Sequence, residues 1–204
     1  IIDESTHSAI SLKAETAKTY PSVTSLQGDE PLLSMKPIDI AVSEANYLFF
    51  TPRIRKTGQD LKTEINSKFK DAVKSLKKHG SVIYCVPTGF TGNNENIALL
   101  RHVTGFEAGK ECSYFYFPLG NMNSTPQIIG SMDKTDDKKL LSLLITGKEI
   151  KKIVEISSAE FIHGINIIQR FSNLCTVLEV CKSVNNNTKS VKTFADYADI
   201  YLDD

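Results

Sequence analysis

One short run restricts the folds open to this chain more than any other. Val82-Ile83-Tyr84-Cys85-Val86 is a stretch of apolar residues bounded by Gly80 and Pro87. A strand that is apolar on both faces leaves neither face for water, so it reads as an inner strand of a helix-covered sheet. The preceding segment fits that role. Leu61, Ile65, Phe69, Val73 and Leu76 recur at spacings of four, four, four and three, which predicts one apolar stripe along a helix of about 20 residues. Thr57-Gly58-Gln59-Asp60 offers its N-cap, and Lys77-Lys78-His79-Gly80 a cationic last turn with a glycine stop.

The same reading extends along the chain. Ile38, Ile40 and Val42 alternate with polar residues and predict a strand, as does Tyr47-Leu48-Phe49-Phe50. Residues 97–103 read as a short helix closed by Gly105, and 112–119 and 127–132 as two strands of a hairpin. Within the first of these, Tyr114-Phe115-Tyr116-Phe117 is apolar on both faces, which suits a central strand or a subunit contact. A helix is expected over 133–146 and a strand over 152–157. Ser157-Ser158-Ala159-Glu160 reads as the capping box of a helix to Phe171 with Phe161, Ile165 and Ile168 on one face. A strand over 174–184 and a terminal helix over 194–202 complete the pattern. The expected fold is α/β or α+β, a mixed β-sheet with flanking helices in one domain over 37–204. Residues 1–36, with ten Ser/Thr and scattered apolar positions, are expected to form an irregular arm with one short helix over 12–18.

The 204 residues carry 24 Lys+Arg against 24 Asp+Glu, and 41% are hydrophobic. This excludes a disordered polyion and a protein basic all over, and no apolar run approaches the ~20 residues that span a bilayer. A first residue other than Met suggests a processed, trimmed or fragmentary form. Cys85, Cys112, Cys175 and Cys181 form no Cys-x-x-Cys pair, and none of His7, His79, His102 and His163 stands at ligand spacing from one. No metal and no cofactor is expected, and a reducing intracellular setting is favoured over a disulfide framework.

Two segments offer themselves to a partner. Between residues 53 and 79 stand nine cations, Arg53, Arg55, Lys56, Lys62, Lys68, Lys70, Lys74, Lys77 and Lys78, against three acids. A helix with one apolar stripe and a basic remainder suits nucleic-acid phosphates or an anionic membrane surface, or a protein partner including a second copy. The second segment is the loop from Thr88 to Asn96, where Thr88, Gly89, Thr91, Gly92, Asn93 and Asn94 lie after the buried strand and before a helix. Ligands bind at that position in open α/β sheets. The loop matches neither a P-loop nor Gly-x-Gly-x-x-Gly and holds no Lys or Arg. No Gly-x-Ser-x-Gly elbow is present, and neither His102 nor His163 is paired in sequence with Cys112 or a serine, so no catalytic residue is assigned. The main expectation is therefore a non-catalytic interaction or assembly protein using the basic helix. The alternative is an α/β enzyme or small-ligand binder using loop 88–96.

Overall fold

The structure, a computed structural model, describes residues 2–3, 8–13, 16–20, 36–118, 128–132, 139–141 and 152–185. The chain divides into two compact units, Ile1–Ala41 and Val42–Asp204.

In the first unit β1 (Ile2–Asp3), β2 (Ser8–Lys13) and β3 (Thr16–Tyr20) form an antiparallel sheet in that order. β2 and β3 pair from Ala9↔Tyr20 to Lys13↔Thr16. At residues 2–3, 8–13 and 16–20 the expected irregular arm, and with it the helix over 12–18, is thus corrected to strands. Ile10 and Leu12 repeat with period two, and Thr16 and Thr19 are β-branched, both of which favour a pleated surface.

A second correction falls on Ile38–Glu44, which is a helix, α1, where a strand was expected. Three alternating apolar residues are too few to separate the two periods. Pro37 fixes a helix-compatible φ at the start and its carbonyl accepts the Ala41 N–H at 2.9 Å, while Asp39 sits in the favoured first turn.

The second unit is a five-stranded mixed sheet in the order β4 (Tyr47–Phe50), β5 (Ser81–Tyr84), β6 (Ser113–Tyr116), β7 (Ile128–Ser131), β8 (Lys152–Glu155). β4, β5 and β6 run parallel, β7 turns back against β6, and β8 is parallel to β7. Helix α2 (Gln59–Val73) links β4 to β5, α3 (Gly92–Thr104) links β5 to β6, and α4 (Ile156–Asn185) follows β8.

Each sheet face has its own core. Val82, Tyr84, Tyr114 and Tyr116 are buried under Phe69, Ala72, Val73 and Leu76 of the α2 segment, Leu100 of α3 and Ala159 of α4. Ile83, Cys85, Phe115, Phe117 and Ile129 cluster with Leu140 on the other face. The two-faced apolar runs at 82–86 and 114–117 are therefore inner strands, as the sequence implies. Phe50, Phe69 and Tyr84 form an aromatic triad with centroids 5.0–5.3 Å apart, two of its three pairs edge to face.

One row of paired residues, Phe50–Tyr84–Tyr116–Gly130–Val154, crosses all five strands. Gly130 is the low point of that row. A Cβ there would lie 3.0 Å from both Ala159 Cβ and Ile156 Cα, so its absence lets α4 settle onto the sheet.

Helices α2 and α4 end elsewhere than expected. α2 stops at Lys74, short of Gly80, and His79 rather than the glycine takes the left-handed conformation, at φ 64°. α4 runs without a break through 174–184, where a strand was expected. No Gly or Pro interrupts residues 165–185, and Ile167, Phe171, Leu174 and Leu178 recur at four, three and four, a helical stripe that outlasts the local alternation. Phe161, Ile165 and Ile168, placed on one helix face by their spacing, are exposed. The helices expected over 133–146 and 194–202 lie outside the described residues, apart from a helical piece at 139–141.

Candidate functional site

The carboxyl ends of the parallel strands β4, β5 and β6 define the edge where open α/β sheets bind ligands. The loop that leaves β5 there is Cys85-Val86-Pro87-Thr88-Gly89-Phe90-Thr91, and α3 begins at Gly92 rather than at Ile97. Thr91 is the N-cap in a left-handed conformation (φ 65°, ψ 3°), and its side chain makes no capping bond. Neither Asn94 nor Asn96 serves as the cap.

Glu160, in the first turns of α4, takes that role from the far side of the chain. Its Oε2 accepts the Thr91 N–H at 3.0 Å, and its Oε1 accepts the Asn93 N–H and the Asn93 Nδ2 at 2.8 Å each. The Thr88 hydroxyl donates to Oε1 at 3.4 Å. The carboxyl expected to cap its own helix thus closes another one, some 70 residues away in sequence.

Asn93, wholly buried, ties this knot to the sheet. The Tyr114 hydroxyl donates to its Oδ1 at 2.6 Å, and its Nδ2 also reaches Thr88 Oγ1 at 3.0 Å. The Thr88 N–H donates to the Tyr116 hydroxyl at 3.1 Å. Asn96 turns its amide toward the Tyr84 and Tyr114 hydroxyls, yet its buried Nδ2 has no hydrogen-bond partner. Burial pushes the Tyr84 phenol up to about 12, the Asn96 amide working against it and Tyr116 with it. Burial raises Tyr114 and Tyr116 as well, so all three phenols stay protonated and available as donors.

His163, one turn further along α4, sits at the same edge. Its ring stands edge-on to Tyr116 at 5.7 Å, and its Nε2 lies 3.3 Å from the Ile128 carbonyl. A carbonyl only accepts, so Nε2 carries the proton and Nδ1 keeps its lone pair. Burial holds the imidazole pKa below its ordinary value, partly offset by that carbonyl. Beside it, Phe90 and Phe161 pack at 5.9 Å with both rings largely exposed, and Gly164 leaves room for the Phe90 ring.

The structure brings Thr88, Thr91 and Asn93 together around Glu160, with His163 one turn away on Tyr116, but it separates the other candidates. Cys112 is buried at the amino end of β6, and burial lifts its thiol to about 11 and that of Cys85 to about 12, which leaves neither as a thiolate nucleophile. His102 lines an open groove of about 570 Å³ on α3 with Asn94, Ile97, Ala98, Arg101 and Met132. Among the described residues no group of three His, Cys, Asp or Glu side chains is placed to hold a metal.

The nine basic residues do not gather into one unengaged face. Lys62 pairs with Glu95, Lys78 with Glu111, and Lys68 with Glu64 and the Arg53 carbonyl. Lys77 donates to the Glu44 carbonyl and Asn46 Oδ1. Glu64 also accepts the Arg55 and Lys56 N–H groups, so the cationic segment 53–56 is folded back onto α2. Lys70 and Lys74 remain exposed on the helix.

Sequence reasoning missed Glu160, Tyr114 and Tyr116. The alternation at 114–117 already put the two tyrosines on one face. Nothing near Glu160 in sequence points to its partners.

The architecture, a mixed five-stranded sheet with flanking helices, is similar to the α/β fold of solved dehydrogenase structures. Three solved structures illustrate the likeness. GDP-mannose dehydrogenase from Pseudomonas aeruginosa, a ternary complex, superposes with a TM-score of 0.64 at 14% identity, over 82% of this chain and 41% of its own. UDP-D-ManNAc dehydrogenase from Pyrococcus horikoshii gives 0.56 at 14%, over 82% and 46%. NDP-N-acetyl-D-galactosaminuronic acid dehydrogenase from Methanosarcina mazei gives 0.53 at 15%, over 72% and 33%. The chain spans less than half the length of each. No protein-family model and no curated protein matches the sequence.

These neighbours correct the main expectation from sequence. The likeness is to nucleotide-sugar dehydrogenases, an enzyme-like fold, and not to a non-catalytic assembly protein built on a basic helix. Local charge excess misled because it counts residues and ignores the acids and carbonyls that the fold brings to them.

Proposed function

We propose that the chain is part of an α/β enzyme or small-ligand binder of the nucleotide-sugar dehydrogenase type, with its ligand at the carboxyl edge of β4, β5 and β6. The observation that carries this reading is the position of loop 88–91, which leaves inner strand β5 between two parallel neighbours and bonds through the Thr88 N–H to Tyr116, the residue on whose ring His163 packs. The three dehydrogenases of similar fold favour a nucleotide-linked sugar as the ligand class.

Each residue then has a role. Phe90 and Phe161 offer an exposed aromatic surface to a ring. Gly89, where a Cβ would meet nothing, leaves room for close approach. Neutral His163, its tautomer set by the Ile128 carbonyl, has Nδ1 to accept a ligand hydroxyl proton or hydrogen bond.

Thermal melting with NAD+, NADH, UDP-glucose and GDP-mannose tests the reading. A ligand at one hundred times its Kd stabilises the folded state by about 2.7 kcal/mol, a rise of several degrees in Tm. At least one compound is expected to give that rise, and Phe90→Ala to reduce it. No shift with any of the four would overturn the proposal.

A further inference from the structure

In doubly wound α/β folds the phosphates of a nucleotide rest on the amino terminus of a helix that follows a sheet strand, where several N–H groups converge on one anion. α3 is such a helix, and it stands at the proposed ligand edge. Two backbone N–H groups there, of Thr91 and Asn93, already converge on an anion, the Glu160 carboxylate, which also accepts from the Asn93 Nδ2 and the Thr88 hydroxyl. Glu160 is 4% exposed. The neighbouring Ala159 packs over Gly130, which holds this turn of α4 against the sheet beside the carboxylate.

A phosphate does not fit beside it. Two like charges at van der Waals distance in a low-dielectric pocket repel strongly. No Lys or Arg stands between Thr88 and Leu100 to offset them. Lys62, which reaches α3 from α2, is engaged by Glu95.

We infer that the amino terminus of α3 is a closed anion site, filled by the chain's own Glu160 carboxylate, and that a ligand at this edge turns an uncharged part, not a phosphate, toward residues 88–93. The second clause rests on the ligand reading above; the first stands on the hydrogen bonds alone. The inference narrows the ligand's pose: the sugar or another neutral ring faces Thr88, Phe90 and His163, and the phosphates lie elsewhere.

Amide hydrogen exchange at Thr91 and Asn93 tests it on the unaltered chain, in chloride and in inorganic phosphate or pyrophosphate at matched ionic strength. Both amides are expected to exchange slowly in chloride and to be unmoved by either phosphate. Fast exchange in chloride, slowed tenfold or more by phosphate, would overturn the inference.

Two variants extend the test. Glu160→Gln is expected to speed exchange at both amides at least tenfold, and equal exchange would count against the closed site. Glu160→Ala is expected to melt lower and to recover saturably with acetate, whereas wild type and Glu179→Ala do not respond. Absence of that recovery in a folded Glu160→Ala chain would also sink the idea. A chain that binds no nucleotide but keeps both amides protected loses the ligand reading and keeps the closed site. One that binds nucleotides with phosphate-dependent protection does the reverse.

Discussion

Tyr114, Asn93 and Glu160 form a buried relay, Tyr114 donating to Asn93 and Asn93 in turn to Glu160. Deleting one member strands the next, and a buried polar group left unpaired costs about 1–3 kcal/mol. Tyr114→Phe is therefore expected to lose that amount in urea denaturation, because Asn93 Oδ1 is orphaned at a site with no solvent access. The Tyr114→Phe effect is expected to shrink in an Asn93→Ala background, since the hydroxyl's acceptor is then gone; strict additivity would show that the two do not communicate. His163 gives a second residue-scale test. Its pKa is depressed below 6.5 by burial, so the unfolded chain binds its proton first as pH falls. Its contribution is complete above about pH 6.5 and is lost as pH drops through that value toward the folded pKa. The urea midpoint is expected to rise with pH across this window in wild type and to flatten in His163→Gln. Little of this was legible in sequence: His163 reads as an ordinary helix histidine, and Glu160 as half of a local capping box. Both owe their roles to residues that only tertiary packing brings near.

At the scale of elements, two glycines on one path of α4 separate packing from propensity. Gly130→Ala puts a methyl group against Ala159 Cβ and the Ile156 backbone, both 3.0 Å away, and neither can step aside. The expected cost is about 1–3 kcal/mol, read as a lower urea midpoint. Gly164→Ala meets only the Phe90 ring, at 3.0 Å and 3.2 Å, which is free to swing outward, while alanine improves helix propensity by about 1 kcal/mol. That variant is expected to be as stable as wild type or slightly more so, yet weaker in ligand binding because Phe90 has moved. Helices α2 and α4 show where periodicity succeeds and where it fails. The stripe at Leu61, Ile65, Phe69, Val73 and Leu76 was legible because most of it is buried, with Phe69 and Val73 in α2 and Leu76 just beyond it in one core, although Leu61 at the start stays exposed. α4 carries apolar residues that stay exposed, Phe161 at 57% and Phe171 at 67%, so over 174–184 a short alternation competes with the longer helical stripe. Patterning identifies an element only when its two faces meet different surroundings.

At the scale of the whole molecule, the sheet is a partition. Side chains alternate through it so completely that Val82, Tyr84, Tyr114 and Tyr116 share one core while Ile83, Cys85, Phe115 and Phe117 share another. This much followed from two short apolar runs, because a strand with no polar face has only one place in a sheet. The order of the strands and the meeting of loop 88–93 with α4 did not follow, since they depend on contacts distant in sequence. The partition makes a quantitative demand. Leu100 and Ile129 are both wholly buried, one in each core, and truncation of either to Ala is expected to cost about 2–5 kcal/mol through lost burial and the cavity left behind. Since the backbone of the sheet separates the two cavities, neither can relax into the other. The double variant Leu100→Ala, Ile129→Ala is then expected to lose the sum of the single losses to within about 0.5 kcal/mol in urea denaturation. A pair within one core, such as Leu100→Ala with Val73→Ala, is expected to depart from the sum by more, because the second truncation enlarges a cavity already open. Coupling between Leu100 and Ile129 as large as that within the pair would mean that the two faces share a core, and the layered architecture that places the ligand edge would fall with it.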